Sequence, residues 1–76
     1  MRTIEFNKAN DNELYNKSSL TKQLNVSMPT VEKYILDDDF ENKVKYVGKR
    51  KVYLGSDVND KIEKLSNQYG FIIFDR

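Results

Sequence analysis

The 76-residue chain contains neither cysteine nor histidine, and each absence removes a class of chemistry. Without cysteine there is no disulfide and no thiolate metal site, which suits a reducing cytoplasm. Without histidine the chain lacks the commonest general base and a common metal ligand. A glycine-rich phosphate loop is also missing, so we expect a protein that is not an enzyme and needs no cofactor.

Long apolar segments are absent as well. No apolar run approaches transmembrane length and the N-terminus lacks a signal-peptide pattern, so we expect a cytoplasmic protein without membrane contact. No repeat or low-complexity linker divides the chain, and its 76 residues correspond to one small domain with a modest core. The net charge is only +1, so any binding to nucleic acid must depend on local clusters of charge.

What the sequence does contain is a pair of short amphipathic runs within residues 18–36, SSLTKQLNVSMPTVEKYIL. Their apolar positions have helical spacing and are Leu20, Leu24, Val26, Val31, Tyr34 and Ile35. Asn25 tolerates the left-handed backbone that ends a helix, and Ser27 is a favoured N-cap for the next. Pro29 then falls in the first turn, where its missing N–H costs nothing. The pattern predicts a helix-turn-helix that binds DNA, with a purely structural helical hairpin as the alternative.

The residues before this helix pair predict two local structures. Arg2–Lys8 alternates apolar and polar residues and is typical of a short half-buried strand. After a polar break, Glu13–Lys17 is expected to form a helical turn, with Ser18 or Ser19 as the N-cap of the first long helix.

An acidic run follows the helix pair. Asp37, Asp38 and Asp39 oppose the helix dipole and favour the end of the second helix there. Phe40 is the lone aromatic residue of this stretch and is expected to fix the loop onto the core. The run is predicted to be a solvated loop, since it lacks the spacing and the turn glycine of a calcium site.

Lys43–Leu54, KVKYVGKRKVYL, has two alternating runs and predicts a β-hairpin. A three-residue loop at Gly48, Lys49 and Arg50 keeps the apolar residues on one face, whereas a two-residue loop mixes Lys45 into that face. The preferred register therefore assigns to the core side Val44, Tyr46, Val52 and Leu54. It assigns to the outer side Lys45, Val47, Lys51 and Tyr53.

The hairpin is also the basic part of the chain, with five basic residues and no acidic one between Lys43 and Tyr53. Lys49, Arg50 and Lys51 lie at its tip, where they can reach a phosphate backbone. The alternative is an edge hairpin that lysines protect from aggregation.

The C-terminal part predicts a capped helix and a strand. Ser56 is a good N-cap for a helix over about residues 57–69, and Gly70 is placed to stop it. The apolar stripe of this helix, expected to pack on the helix pair, consists of Val58, Ile62, Leu65 and Tyr69. The run Phe71–Phe74 is too short for a helix, so we expect a strand at about residues 71–75 that is buried on both faces or finds a partner.

In this order the elements resemble the winged helix-turn-helix DNA-binding domains of the excisionase and MerR-like group. The matching residues are Leu20–Ile35, LTKQLNVSMPTVEKYI, and Val44–Leu65, VKYVGKRKVYLGSDVNDKIEKL. The resemblance implies one α+β domain over residues 1–76, mostly helical, with a helix-turn-helix at about 18–36 and a β-hairpin wing at about 43–54. The short terminal strands are not part of the family pattern.

The resemblance implies sequence-specific binding of double-stranded DNA by a small recombination directionality factor or regulator of a mobile element. The alternatives are a small transcriptional repressor or activator, and an inhibitor that binds another protein through the same scaffold. Homodimers or cooperative assembly on DNA, and an integrase as protein partner, are compatible with this group. By analogy the DNA-contacting residues are Ser27, Met28, Pro29, Thr30, Lys33, Lys45, Lys49, Arg50 and Lys51.

Two further features depart from the family pattern. Asn25 occupies a turn position often held by glycine, and the recognition helix is poorly basic, with Lys33 offset by Glu32. A weakly basic helix needs a second copy for affinity, so pairing of the Phe71–Phe74 strand across a two-fold axis is favoured. The alternative is that the two terminal strands pair within one chain.

Overall fold

The computed structural model describes residues 3–75, which form an α+β fold of four helices and five short strands. In chain order the elements are β1 (Ile4–Asn7), β2 (Leu14–Tyr15), α1 (Lys17–Leu24), α2 (Met28–Thr30) with its π-helical continuation (Val31–Ile35), α3 (Asp38–Glu41), β3 (Lys45–Val47), β4 (Arg50–Leu54), α4 (Gly55–Gln68) and β5 (Ile72–Asp75). The first predicted strand is confirmed for residues 4–7, whereas Arg2 lies outside the described residues. None of the helices in residues 3–75 is long and apolar enough to span a bilayer.

The first long helix begins two or three residues earlier than the sequence pattern predicts. Its N-cap is Asn16, whose side-chain oxygen accepts the Ser19 N–H at 2.8 Å. In return the Ser19 hydroxyl accepts the Asn16 N–H at 3.0 Å, which completes a capping box. The prediction of Ser18 or Ser19 as the N-cap was therefore wrong, because Ser19 occupies the third helical position.

The turn between the two helices forms as predicted. Asn25 has a left-handed backbone, with φ 58° and ψ 44°, and the second helix begins directly after Ser27. Pro29 lies in the first turn of that helix. Val26 packs against the core at the turn. These predictions are confirmed because each depends on the local backbone preference of one residue.

The second helix is continuous over residues 28–35 but widens after its first turn. The Leu36 N–H donates to the carbonyl of Val31 at 2.9 Å, an i to i+5 bond of π-helical type. Val31 and Ile35 are fully buried and fix this helix against α1 and α4. The helix ends at Ile35 with Leu36 as its C-cap, directly before the acidic run, as predicted.

The predicted helical turn at Glu13–Lys17 is wrong, because Leu14 and Tyr15 form strand β2. This strand pairs antiparallel with β4 and places Tyr15 opposite Tyr53. The Tyr15 ring is buried and its hydroxyl accepts the Asn10 N–H at 3.0 Å. Long-range pairing with β4 therefore overrides the local helical pattern of these few residues.

The hairpin forms, but its predicted register is wrong. Val47 pairs with Arg50, so the loop has only two residues, Gly48 and Lys49. Gly48 has φ 63° while Lys49 has no positive φ, which is the pattern of a type II′ turn with glycine first. That turn matches the twist of the strands and decides the register, although it pairs Lys45 with Val52.

The predicted faces of the hairpin change with the register. Tyr53 was assigned to the outer side, yet it is buried and its ring centroid lies 6.0 Å from that of Phe40. Tyr46 was assigned to the core, yet it is 62% exposed. Alternation could not decide these faces because residues 45–51 extend beyond the core and all remain exposed.

The N-terminus of α4 is fixed by the loop that precedes β2. The N–H of Gly55 donates to the Glu13 carbonyl at 2.9 Å, and the N–H of Ser56 donates to the Asp11 carbonyl at 3.1 Å. Backbone carbonyls thus satisfy the free N–H groups of the helix end. The predicted N-cap role of Ser56 was wrong, because the helix already begins at Gly55.

The buried amide of Asn59 attaches the same loop to the side of α4. Its oxygen accepts the Ala9 N–H at 2.8 Å, and its nitrogen donates to the Ala9 carbonyl at 2.8 Å. The amide nitrogen also donates to a carboxylate oxygen of Asp11 at 2.8 Å. These bonds satisfy the polar groups that this segment buries.

The stripe of α4 predicted from the sequence lines the core, with Val58, Ile62 and Leu65 buried and Tyr69 at the edge. Gly70 follows the C-cap Tyr69 at the predicted C′ position, but its φ is not positive, so it does not form the left-handed cap. The full set of buried hydrophobic residues is Phe6, Ala9, Tyr15, Leu20, Leu24, Val31, Ile35, Phe40, Tyr53, Val58, Ile62, Leu65 and Ile72.

The terminal strands pair within the chain, which is the second of the two alternatives. Strand β5 runs parallel to β1, with Ile4 opposite Ile72 and Phe6 opposite Phe74. The strand is not buried on both faces, because Ile72 is 3% exposed and Ile73 is 41% exposed. The pair forms a second, separate sheet, while the other sheet has the strand order β2-β4-β3.

Candidate nucleic-acid interface

The start of the second helix presents the first group of predicted DNA-contacting residues. Ser27, Pro29 and Lys33 are exposed, and Met28 and Thr30 are half-buried. These residues are accessible because the helix packs on the core through its opposite face, where Val31 and Ile35 are fully buried. The residues that anchor the helix and those assigned to DNA therefore occupy different sides of it.

Two of these residues hydrogen-bond to each other. The hydroxyls of Ser27 and Thr30 lie 2.8 Å apart at the helix start. Ser27 precedes the helix but makes no side-chain bond to a backbone N–H of the first turn. The hydroxyl pair offers a ligand one remaining donor and the lone pairs of both oxygens, which suits contacts to phosphate or to base edges.

The only basic residue of this helix has an aromatic neighbour. The Lys33 ammonium lies 5.2 Å from the ring centroid of Tyr34, within cation–π range, and its side chain stays exposed. Glu32, the acidic neighbour, pairs instead with Lys17 of α1 at 3.6 Å. The charge of Glu32 is thereby partly compensated by α1, which leaves Lys33 available to a polyanion.

The outer hairpin, residues 45–51, carries the second group of predicted residues. Lys45, Lys49, Arg50 and Lys51 are all exposed. Lys51 lies 3.9 Å from the carboxylate of Glu41 on α3, and both side chains are about half exposed. Within residues 3–75 no carboxylate lies in ion-pair range of Lys45, Lys49 or Arg50. A cluster of uncompensated positive charge therefore lies at the hairpin tip.

The outer hairpin does not pack against the core on either face. Every residue of β3 is exposed, including Tyr46 at 62% and Val47 at 57%. On β4 burial begins only at Val52 and becomes complete at Tyr53. The tip is thus an extension held by the base of the sheet, where β2 pairs with β4.

The segment that joins the second helix to the hairpin is fixed by Asp37. One carboxylate oxygen of Asp37 accepts the Phe40 N–H at 3.0 Å and caps α3, and the other accepts from the Lys61 ammonium at 2.6 Å. Burial raises the pKa of Asp37, but the Lys61 and Phe40 hydrogen bonds outweigh it, so the pKa lies below its ordinary value. No sequence pattern indicated this pair, because its members are 24 residues apart.

The acidic run is therefore a short capped helix and not the predicted loop. Asp38, Asp39 and Glu41 lie in the first turn of α3, where the helix dipole stabilises negative charge. Phe40 is 2% exposed and anchors the run in the core, as predicted. Across residues 3–75 no cluster of acidic side chains is arranged to hold a metal ion.

The two predicted groups of residues lie on elements that α3 connects, and no hydrogen bond or ion pair within residues 3–75 joins one group directly to the other. Each group combines exposed hydrogen-bonding or basic side chains with buried anchors in the same element, an arrangement suited to binding a polyanion. Comparisons with protein-family profiles, curated proteins and solved structures found no significant match for this chain.

Proposed function

We propose that this chain binds double-stranded DNA as a winged helix-turn-helix domain. The helix over residues 28–35 would enter the major groove, and the outer hairpin would act as a wing on the flanking backbone. The strand order β2-β4-β3 supports this proposal, because it holds the base of the hairpin beside the helix pair while the tip stays free.

The observation that carries the proposal is the outer hairpin itself. An isolated two-stranded hairpin is at best marginally stable in water, and a purely structural one would bury a face. Here residues 45–51 are exposed throughout and carry basic side chains, of which Lys45, Lys49 and Arg50 have no acidic partner within the described residues. A polyanion such as the DNA backbone would compensate this charge.

In this proposal the start of the second helix reads the DNA sequence. The hydroxyl pair of Ser27 and Thr30 would contact phosphates or base edges, and Lys33 would contact phosphate or guanine. Met28 and Pro29 would lie against thymine methyl groups. These few groups give one domain weak specificity, so useful affinity would come from adjacent copies on repeated sites or from a protein partner.

Such binding suits the role of a recombination directionality factor of a mobile element, which works with an integrase. A small repressor or activator of transcription would use the same surface. What both roles share is occupation of a defined DNA site by several copies of the domain. The two roles differ in the reaction that the bound complex influences.

Fluorescence anisotropy with a labelled duplex of random sequence tests DNA binding directly. Binding should weaken as salt rises, with a linear relation between the logarithms of affinity and salt concentration. A slope of about −0.9 per phosphate contacted is expected for duplex DNA. Absence of binding at low salt, with a folded protein by circular dichroism, would contradict the proposal.

One observation favours the second candidate function, an inhibitor that binds another protein. Ile73 is 41% exposed and Tyr69 is 38% exposed, and the Tyr69 ring lies 5.4 Å from that of half-buried Phe71. These residues form an apolar surface beside β5, remote in sequence from the hairpin. Salt-insensitive binding to a protein that an Ile73→Asp change abolishes, together with no binding to DNA, would favour this function over the first.

A further inference from the structure

Tyr46 is the most exposed large hydrophobic residue in the described part of the chain. Its side chain is 62% exposed on the outer hairpin. Within residues 3–75 no other aromatic ring lies in stacking range of Tyr46, and no cation lies over its ring. The ring is therefore free to stack on an incoming planar group.

The surroundings of this ring are basic. Tyr46 lies directly opposite Lys51 in the hairpin register, and Lys45 is its neighbour in sequence. Lys49 and Arg50 follow at the tip. Lys51 shares a face of the hairpin with Tyr46, whereas Lys45 and Arg50 project from the other face. An aromatic ring on a basic hairpin is the combination with which proteins hold an unstacked base and its phosphates.

The paired backbone of the hairpin adds to this combination. Gly48 closes a two-residue turn, and the paired backbone on either side of it fixes where the Tyr46 side chain leaves the strand. Val47 leaves the same strand on the opposite face, next to Arg50 in the pairing. One face of the tip thus carries an aromatic ring and the other an aliphatic side chain.

We propose that Tyr46 stacks on a nucleobase that has left the duplex stack, so that the hairpin prefers DNA with an unpaired or bulged base. The inference depends on the DNA binding proposed above and assigns a structural preference to the same surface. Stacking needs no particular base because every base has a π face. The preference is therefore for a deformed step and not for a sequence.

The test compares two duplexes of equal length, one fully paired and one with a single extrahelical 2-aminopurine. The wild-type protein should bind the bulged duplex at least about fivefold more tightly, which corresponds to about 1 kcal/mol of stacking. Tyr46→Leu should bind both duplexes equally, whereas Tyr46→Phe should keep the preference for the bulged one. Val47→Ala, on the opposite face, is the matched control and should also keep it.

Fluorescence of the 2-aminopurine gives a second measurement on the bulged duplex. When the wild-type protein binds, stacking of the Tyr46 ring should change this fluorescence. Binding of the Tyr46→Leu variant should leave the fluorescence unchanged. Equal binding of the two duplexes by the wild type, or a preference that Tyr46→Leu retains, would overturn the stacking proposal while leaving DNA binding intact. Failure of the wild type to bind either duplex at low salt would overturn both, and binding to a protein in its place would favour the inhibitor function.

Discussion

Gly55 is the residue at which the structure leaves no room for a side chain. A Cβ atom at this position would lie 1.7 Å from the carbonyl oxygen of Asn10, in the loop that fixes the start of α4. Gly55→Ala should therefore displace that loop and lower the free energy of unfolding by about 1–3 kcal/mol or more. Urea denaturation followed by circular dichroism measures the loss.

Gly70→Ala is the matched control for this prediction. No atom lies within 4 Å of the position that its Cβ would take, and its φ is not positive. The change should be neutral or should stabilise the protein by up to about 1 kcal/mol, because alanine restricts the unfolded chain. Equal effects of the two substitutions would contradict the close approach at Gly55.

Asp37 is the second residue for which the structure predicts a loss of stability on substitution. Asp37→Ala should lower the free energy of unfolding by about 1–2 kcal/mol, since it removes the cap of α3 and leaves the Lys61 ammonium, only 9% exposed, without its partner. Solvent limits the loss, because the Asp37 side chain is 37% exposed. Lys61→Met should cost less, because it removes the buried charge and keeps the cap.

The stabilisation by Asp37 should depend on pH in one direction. Burial raises the pKa of this carboxyl, but its hydrogen bonds with Lys61 and Phe40 hold the pKa of the folded state below the ordinary value of 3.8. The contribution is therefore fully present above pH 3.8 and is lost as the pH falls through the lower pKa of the folded state. Urea denaturation of wild type and Asp37→Asn should differ at pH 7 and converge in acid; a constant difference would contradict the ion pair.

At the scale of elements, the hairpin shows what sequence periodicity cannot decide. The alternation of Lys43–Leu54 correctly predicted two strands, but the faces were assigned by assuming that one of them packs on the core. Since residues 45–51 extend beyond the core, no burial constrained their register. The positive φ of Gly48 decided the turn instead.

The hairpin also carries the main functional prediction of this scale. Changing Lys49 and Arg50 together to Gln should weaken binding to every duplex and reduce the salt slope by about 0.9 for each phosphate that the protein no longer neutralises. The fold should persist because both side chains are exposed beside the turn. Anisotropy titrations over a salt series measure both quantities.

A matched control removes the same charge elsewhere. Lys8 and Lys64 are exposed and lie outside the hairpin and the second helix, so their joint change to Gln should leave the salt slope almost unchanged. If the control pair reduces the slope as much as the hairpin pair, net charge and not the hairpin tip would determine binding.

At the scale of the whole molecule, the terminal strands close the fold. Strand β5 covers the core beside β1, where Phe6 is fully buried and Ile72 is 3% exposed. Deleting residues 71–76 should therefore lower the free energy of unfolding by about 3 kcal/mol or more, because it removes the buried Ile72, uncovers Phe6 and leaves β1 unpaired. Thermal melting by circular dichroism, with sedimentation of the intact chain, tests this expectation.

Ile73→Ala is the control within the same strand. Because Ile73 is 41% exposed, the substitution should lower the free energy of unfolding by less than about 1 kcal/mol. A truncated protein that melts like the intact one would contradict the role of β5 in the fold. If truncation left that stability intact and only separated a dimer into monomers, pairing of β5 between two copies would be its main role.

Sequence alone determined the parts of this protein that depend on local preference. Asn25 and Pro29 fixed the turn and the start of the second helix, and the stripe of Val58, Ile62 and Leu65 fixed the buried face of α4. The residues assigned to the candidate site are exposed, except for the half-buried Met28 and Thr30, and their role in DNA binding stays a prediction. The turn and the buried face of α4 were predictable because a single backbone conformation or one helical period decides each of them.

Tertiary structure decided the features that require distant residues to meet. Tyr15 lies in a strand because it pairs with Tyr53. Gly55 has no room for a side chain because the Asn10 carbonyl approaches it. The Asp37 carboxylate accepts from Lys61, which lies on another helix. The free Tyr46 ring belongs to the same group, since its exposure depends on how far the hairpin extends beyond the core. Local periodicity contains no information on these distances, because they follow from how separate elements pack together.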